Sequence, residues 1–262
     1  MILIGVDAAW GDANETGLVA LESSGHVRDA GWATGVAAAA AWICDHAEPD
    51  TLVFIDAPLV VANPTGQRLC ETHVGQRYWR WSVSANSTNT ASRRLGGVAL
   101  LRALQENGFR YDDGIDGPPR SGRVVSECYP YTTIVGVELL GYDVRPLYKR
   151  KPKAMRMAEF RAVRAAACDE LIRRVATLEH ADPPLDLRSH EATWRLLEEP
   201  SPLDNRAYKH REDLLDASLC AWTSSLWHRH GFERCQVLGA VLSVGRPAAT
   251  IVAPARAEQR AA

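Results

Sequence analysis

The sequence predicts a mixed α/β fold, a sheet of five strands flanked by helices. Three observations predict it. Apolar, β-branched runs of strand length recur at residues 2–6, 16–21, 26–32, 51–55 and 124–129. The second and third runs are joined by Ser23-Ser24-Gly25, which is hairpin chemistry. An Ala-rich helical stretch then separates the third strand from the fourth, the alternation that places helices on the faces of a sheet.

Residues 2–6 form the first strand, and Asp7 ends it. A carboxylate there is costly if left buried and unpaired, so a metal ion or a strong donor is expected beside it. Residues 11–15 are a polar turn into the hairpin. Residues 35–46 form a helix that stops near Pro49. The fourth strand ends on Asp56-Ala57-Pro58. Residues 63–89 are polar around an aromatic knot, Tyr78-Trp79-Arg80-Trp81, and predict a loop or short-helix excursion over the sheet edge. A helix over 91–107 closes at Gly108, a Gly- and Pro-rich loop fills 112–122, and the fifth strand carries Glu127.

The second half is helical. Helices are predicted over 131–140, 153–178 and 189–198, with a Pro-rich break at 180–186. Residues 209–228 form an amphipathic helix with Leu214, Leu215, Leu219 and Trp222 at core spacing. A short strand follows at 248–252, and the tail from Ala255 is expected to fray. Residues 1–262 thus read as one elaborated domain, with 130–208 as a helical insertion before the last core helix.

Composition narrows the function classes. The chain has 262 residues, 46% hydrophobic and 24% charged, with a net charge of -2. No global basic field announces nucleic acid, although a local basic groove suffices to bind it. Six cysteines form no CxxC pair and have no His at zinc-finger spacing, so reduced thiols are expected. No basic segment precedes the first apolar run, and the Ala-rich run at 37–43 is too short to span a bilayer. A cytoplasmic protein without a membrane partner is the expectation.

The candidate chemistry is acidic. Asp7, Asp56 and Glu127 each end or nearly end a strand, which gathers carboxylates at one sheet rim. His210, Asp213 and Asp216 recur every third residue and share a helix face, while Ala217 and Ala221 allow that helix to pack closely. Carboxylates in this number suit Mg²⁺ or Mn²⁺, and a pair of such ions is the arrangement used in phosphodiester cleavage. Asp7, Asp56, Glu127 and Asp216 are the candidate metal ligands, with Asp213 and His210 beside them. Lys149, Arg150, Lys151 and Lys153, with Arg156, form a basic run that reads either as a solvated face or as a phosphate-tracking groove. Trp79 and Trp81, with Arg77 and Arg80, suit core packing or a loop anchor better than base stacking.

Five motifs in chain order carry a resemblance. They are Gly5-Val6-Asp7 with Trp10-Gly11; residues 54–59, Phe-Ile-Asp-Ala-Pro-Leu; Glu127-Cys128-Tyr129-Pro130; Tyr148-Lys149; and residues 210–217, His-Arg-Glu-Asp-Leu-Leu-Asp-Ala. With them the chain resembles domain-of-unknown-function family number 429 and, more widely, the RNase H-like superfamily. The resemblance implies a five-stranded RNase H-like sheet with its first three strands antiparallel, and a metal-dependent nuclease activity that is itself a forecast for the family. Asp7 is similar to the first-strand Asp of these enzymes, and His210, Asp213 and Asp216 to the closing motif of RuvC-type resolvases. Asp56 stands where resolvases place a second acid, and Glu127 where YqgF-type relatives do. Nucleic acid is then the expected partner.

Two other classes compete. A non-catalytic binding module on the same fold would keep the acids as structural groups. An actin-like nucleotide-binding protein would need a Gly-rich phosphate turn after Asp7, where this chain has Ala8-Ala9-Trp10-Gly11. P-loop, nucleophile-elbow and zinc-protease signatures are absent from the sequence.

Overall fold

Successive side chains of a strand point to opposite faces, and in the opening strand both faces are apolar. Leu3 belongs to one buried cluster, while Ile2, Ile4 and Val6 belong to another. A sheet covered on both sides follows, which is why its strands read as unbroken hydrophobic runs. The computed structural model describes residues 1–11, 13–93, 95–239 and 248–260.

The main sheet contains β1 (Ile2–Asp7), β2 (Glu15–Glu22), β3 (Val27–Thr34), β4 (Thr51–Ile55), β5 (Arg110–Tyr111) and β6 (Arg123–Glu127), in the order β3-β2-β1-β4-β6-β5. β1, β2 and β3 form an antiparallel meander. β4 runs parallel to β1, and β6 runs parallel to both β4 and β5. The fold is therefore mixed α/β, with six strands where five are predicted. The additional one, β5, is two residues long and lies at the edge, too short for a periodic signal.

One face of the sheet carries α1 (Val36–His46) and α3 (Gly96–Glu106), whose Ala39, Ala40, Ile43, Leu100, Leu101 and Leu104 pack with Ile4, Val53 and Ile55. Between them in sequence, the excursion at 63–89 holds α2 (Leu69–Tyr78) and a 3₁₀ turn at Trp79–Trp81. The excursion is thus the short-helix form of the two the sequence allows. Segment 130–208 contains α4 (Pro130–Gly136), α5 (Met157–Ala176) and α6 (Glu191–Glu198). Arg94, inside the helix expected over 91–107, lies outside the described residues.

The other face is covered by α7 (Asn205–His230), which starts four residues earlier than the sequence suggests. Asp204 caps it by accepting from the Arg206 and Ala207 amides at 2.9 and 3.0 Å. The amphipathic reading of this helix needs correction, because from Arg211 to Trp227 it is buried on every side. The sheet lies under it, and α4, α5 and α6 contact it as well. Three of its buried hydroxyls are satisfied by carbonyls of the helix itself. Ser218, Thr223 and Ser224 donate to the carbonyls of Leu214, Leu219 and Ala221 at 2.7 to 2.8 Å.

Among the described residues, the C-terminal region holds more regular structure than the one short strand predicted. β7 (Cys235–Leu238) and β8 (Ile251–Pro254) pair antiparallel as a separate two-stranded sheet, and α8 (Ala257–Arg260) follows. The segment after Ala255 is not frayed up to Arg260. Ala255 is buried, and Gln259 exchanges hydrogen bonds with the Arg77 backbone and side chain. Ala261 and Ala262 lie outside the described residues. Among those residues, no helix is long and apolar enough to cross a membrane.

Candidate metal centre

Parallel register places the ends of β1, β4 and β6 on one rim. Val6 aligns with Ile55, and Ile55 aligns with Glu127. Asp7 lies on the same face of β1 as Gly5, one pleat repeat away, and that face meets α7. Two glycines allow the contact to be close. A Cβ on Gly5 would fall on the carbonyl oxygen of Ala217 and the amide of Ala221, and one on Gly17 would fall on the Asp213 carbonyl. Gly17 pairs directly with Asp7. Helix backbone therefore rests on strand backbone, and the acids of α7 reach the strand-borne ones.

Asp7, Asp56 and Asp216 each present a carboxylate oxygen, and the three oxygens lie within 4.8 Å of one another. Asp216 is fully buried and Asp7 is 8% exposed, while Asp56 is partly open. Two further acids of α7 adjoin them, Glu212 and Asp213. Lys149 Nζ contacts Asp216, lies 3.8 Å from Asp56 Oδ2 and 3.5 Å from Glu212 Oε1. Lys209 Nζ contacts Asp213, and is 3.5 Å from both Asp7 Oδ2 and Glu212 Oε1. Tyr148 donates to Asp216 Oδ1 at 2.9 Å, and Tyr208 holds the Tyr148 carbonyl at 2.6 Å.

Five carboxylates thus share two ammonium groups. The surplus negative charge shows in the protonation of the acids. Burial pushes Asp56 well above the usual carboxylate range against the pull of Lys149, with Asp7 and Asp216 adding to the rise. Burial, joined by Asp7, pushes Asp213 up to about 9 despite Lys209. Asp216 is pushed up to about 7 by burial, with Lys149 opposing. Asp7 is the exception. Burial works to raise it, but Lys209 and Lys149 outweigh that and hold it below its ordinary value. Oδ2 of Asp7 is buried and accepts no hydrogen bond, with Lys209 Nζ 3.5 Å away, while Oδ2 of Asp216 meets the Lys149 ammonium. The donor set is all carboxylate oxygen, it is over-charged, and Oδ2 of Asp7 is buried without a hydrogen-bond donor. These properties fit Mg²⁺ or Mn²⁺.

A pH signature follows. Asp213 and Asp216 have folded-state pKa values above the ~3.9 of an unfolded Asp, so between those values the folded chain binds more protons than the unfolded one. Their contribution is full below ~4 and is lost as pH rises through about 7 and about 9. In EDTA, the melting temperature of the wild type is expected to fall relative to Asp216→Asn as pH rises from about 5.5 to about 8. A constant difference across that range would show that Asp216 ionises normally.

Glu127, expected as a metal ligand, is not in the three-acid cluster. Arg68 Nη1 and Nη2 grip its two oxygens at 2.8 and 2.6 Å, and the Leu59 amide adds a third bond at 3.0 Å. The same Arg68 binds Glu71 Oε1 at 2.9 Å, and Glu71 also accepts from the Arg68 and Thr88 amides. All three side chains are buried. A fork-to-carboxylate pair of this kind is strong and directional, and it uses the oxygens a cation would need. Arg68→Met is expected to cost about 3–5 kcal/mol in urea unfolding, because it leaves two buried carboxylates facing each other without a cation. A cost under about 1 kcal/mol would mean that the pair is dispensable.

His210 also stands apart from the acids. Its ring stacks on Trp32, with centroids 3.6 Å apart, and its Nδ1 is 2.8 Å from Glu15 Oε2. Of the basic run, Lys149 enters the acidic centre. Arg150 lines the same cleft and bonds Asn86, Lys151 bonds the carbonyls of Pro152 and Met155, and Lys153 is exposed. Trp81 is buried and Trp79 is exposed, away from the cleft. Sequence reasoning missed Glu212, Lys209 and Arg68. Lys209 stands four residues before Asp213, a helix-pairing distance that was available as a signal; Arg68 in a polar loop offered none.

The centre opens into a cleft of about 760 Å³, lined by Asp7, Asp56 and Asp213 together with Lys149, Arg150 and Lys209. All six cysteines are free thiols. The model of the family described as Protein of unknown function (DUF429) matches residues 5–238. Neither a curated protein nor a solved structure matches the chain.

Proposed function

Starting from the fact that the chain belongs to the DUF429 family, we propose that it is a divalent-metal-dependent nuclease of RNase H-like fold, hydrolysing phosphodiester bonds of DNA or RNA. The observation that carries this reading is the convergence of Asp7, Asp56 and Asp216 within 4.8 Å, with Asp7 and Asp56 lining a cleft and Asp216 buried behind them. The sheet order supports the fold: an antiparallel meander whose first strand pairs parallel with β4, and beyond it β6. In this reading residues 1–262 are one domain and 130–208 are its insertion.

Asp7, Asp56 and Asp216 would hold Mg²⁺ or Mn²⁺, which when bound supplies charge neutralisation at phosphorus and a lowered pKa for water. The remaining roles belong to the chain. Asp213 adjoins Asp7 and is held by Lys209, and burial together with the charge of Asp7 pushes its carboxyl up to about 9. Tyr148 orients Asp216 through Oδ1, and Lys149 meets its Oδ2. Lys149 and Lys209 supply the positive charge that keeps the acids together. Incubating purified protein with branched, hybrid and single-stranded nucleic acids and Mn²⁺ tests the activity, and cleavage that EDTA abolishes is the expected result.

The same two lysines favour a second reading, a non-catalytic binding module, because they neutralise part of the acidic charge without an ion. Calorimetric titration separates the two. Mn²⁺ binding at or below millimolar concentration supports the nuclease, and no binding supports the module.

A further inference from the structure

We propose that the cleft binds a single-stranded nucleic-acid segment, with Trp10 as the stacking platform for an unstacked base and the Tyr131 hydroxyl as a donor to a phosphate oxygen. The proposal rests on the nucleic-acid reading of this cleft and names the form of its substrate.

Trp10 lines the cleft, three residues after Asp7, and is 44% exposed. Among the described residues, other exposed aromatics, such as Trp79, lie outside the cleft; Trp10 is the exposed one on its lining. The backbone beneath this one is fixed. Ala9 donates to Thr16 Oγ1 at 3.1 Å. The first residue of α3, Gly96, lies so close that a Cβ there would meet the Ala9 carbonyl and approach Trp10. The indole is thus offered to the cleft from a held turn, so little ordering is needed to use it.

Tyr131 is the second observation. It lines the same cleft, is only 2% exposed, and its hydroxyl has no hydrogen-bond partner. A buried hydroxyl is rarely left without one. Burial raises its pKa, so it remains a donor. The Arg145 guanidinium lies 5.6 Å from the centre of the Tyr131 ring, and its Nη1 is likewise buried without a partner. Arg150, held by Asn86, adds a cation to this wall. The unused Tyr131 hydroxyl and the Arg150 guanidinium, both on the cleft lining, suit an anion.

The size and the platform together select a single strand. A cleft of about 760 Å³ is in the range that encloses a drug-sized ligand, which matches a nucleotide or two. In a duplex both faces of each base are stacked on neighbours, whereas an aromatic platform needs an unstacked face.

Fluorescence anisotropy with a short labelled single strand of mixed sequence, and with the same strand annealed to its complement, tests this. The titrations are run in Ca²⁺ in place of Mn²⁺ so that the probes are bound without being cut, with probe integrity checked on gels. The expected result is that the single strand binds at least about tenfold tighter than the duplex. Trp10→Ala should weaken single-strand binding roughly tenfold, the loss of one base–aromatic stack, while Trp10→Phe should retain most of it. Tyr131→Phe should weaken it several-fold at unchanged melting temperature. Equal binding of strand and duplex, wild-type affinity in Trp10→Ala, or no binding of either probe overturns the proposal. Mn²⁺ calorimetry on Trp10→Ala keeps the two readings apart. Strand binding through Trp10 without Mn²⁺ binding would overturn the metal centre alone, and Mn²⁺ binding with strand affinity indifferent to Trp10 would overturn the platform alone.

Discussion

Asp7→Asn is expected to reduce Mn²⁺-dependent cleavage by at least about 100-fold, since even groups that only orient metal ligands cost 10–100-fold when lost. The substitution keeps the shape of the side chain and removes one charge. In EDTA the variant should melt within a few degrees of the wild type, because Lys209 keeps Glu212 and Asp213 as partners. The rise in melting temperature that Mn²⁺ gives the wild type should disappear. Cleavage and metal-induced stabilisation both unchanged in Asp7→Asn would remove Asp7 from the centre.

Gly5→Ala is the change expected to damage the fold most for its size. One methyl group would fall on the Ala217 carbonyl and lie 2.9 Å from the Ala221 Cα. These are backbone atoms of a helix buried on all sides, so no flexible side chain can move aside. A cost of at least about 3 kcal/mol is expected, at the upper end of overpacking effects. Mn²⁺ affinity should fall in whatever folded fraction remains, because the helix that must shift carries Asp213 and Asp216. Urea unfolding and calorimetry on the same preparation read both effects. A loss below about 1 kcal/mol would show that α7 stands off the sheet.

Much of this arrangement was legible because two periodicities carry it. Strands covered on both faces gave unbroken apolar runs, and β4 was bounded to the residue. Acids at strand ends pointed to one rim, and the three-residue spacing of Asp213 and Asp216 pointed to one helix face. What could not be read depends on tertiary partners. Nothing local distinguishes Glu127 from Asp56; the difference is Arg68, 59 residues away in sequence, which grips one and not the other. The basic run looked uniform, yet Lys149 turns inward because Asp216 faces it, and Lys151 and Lys153 do not. The amphipathic reading of α7 failed for a similar reason. Hydropathy sees Ser218, Thr223 and Ser224 as a wet face, whereas their hydroxyls are satisfied within the helix and dry.

The burial of α7 has a consequence for how the protein is made. A ribosome delivers the chain from its N-terminal end, and the meander, the parallel strands and segment 130–208 all emerge before residue 205. Until the helix at Asn205–His230 follows, the sheet face around Leu3, Gly5, Val19 and Phe54 has no cover. Nascent chains therefore carry a broad sticky surface for most of their synthesis, and chaperone demand should be set by the wait for one late helix. Truncations ending near residue 204 should accumulate as aggregates, while chains extending past α7 and the β7–β8 hairpin should remain dispersed.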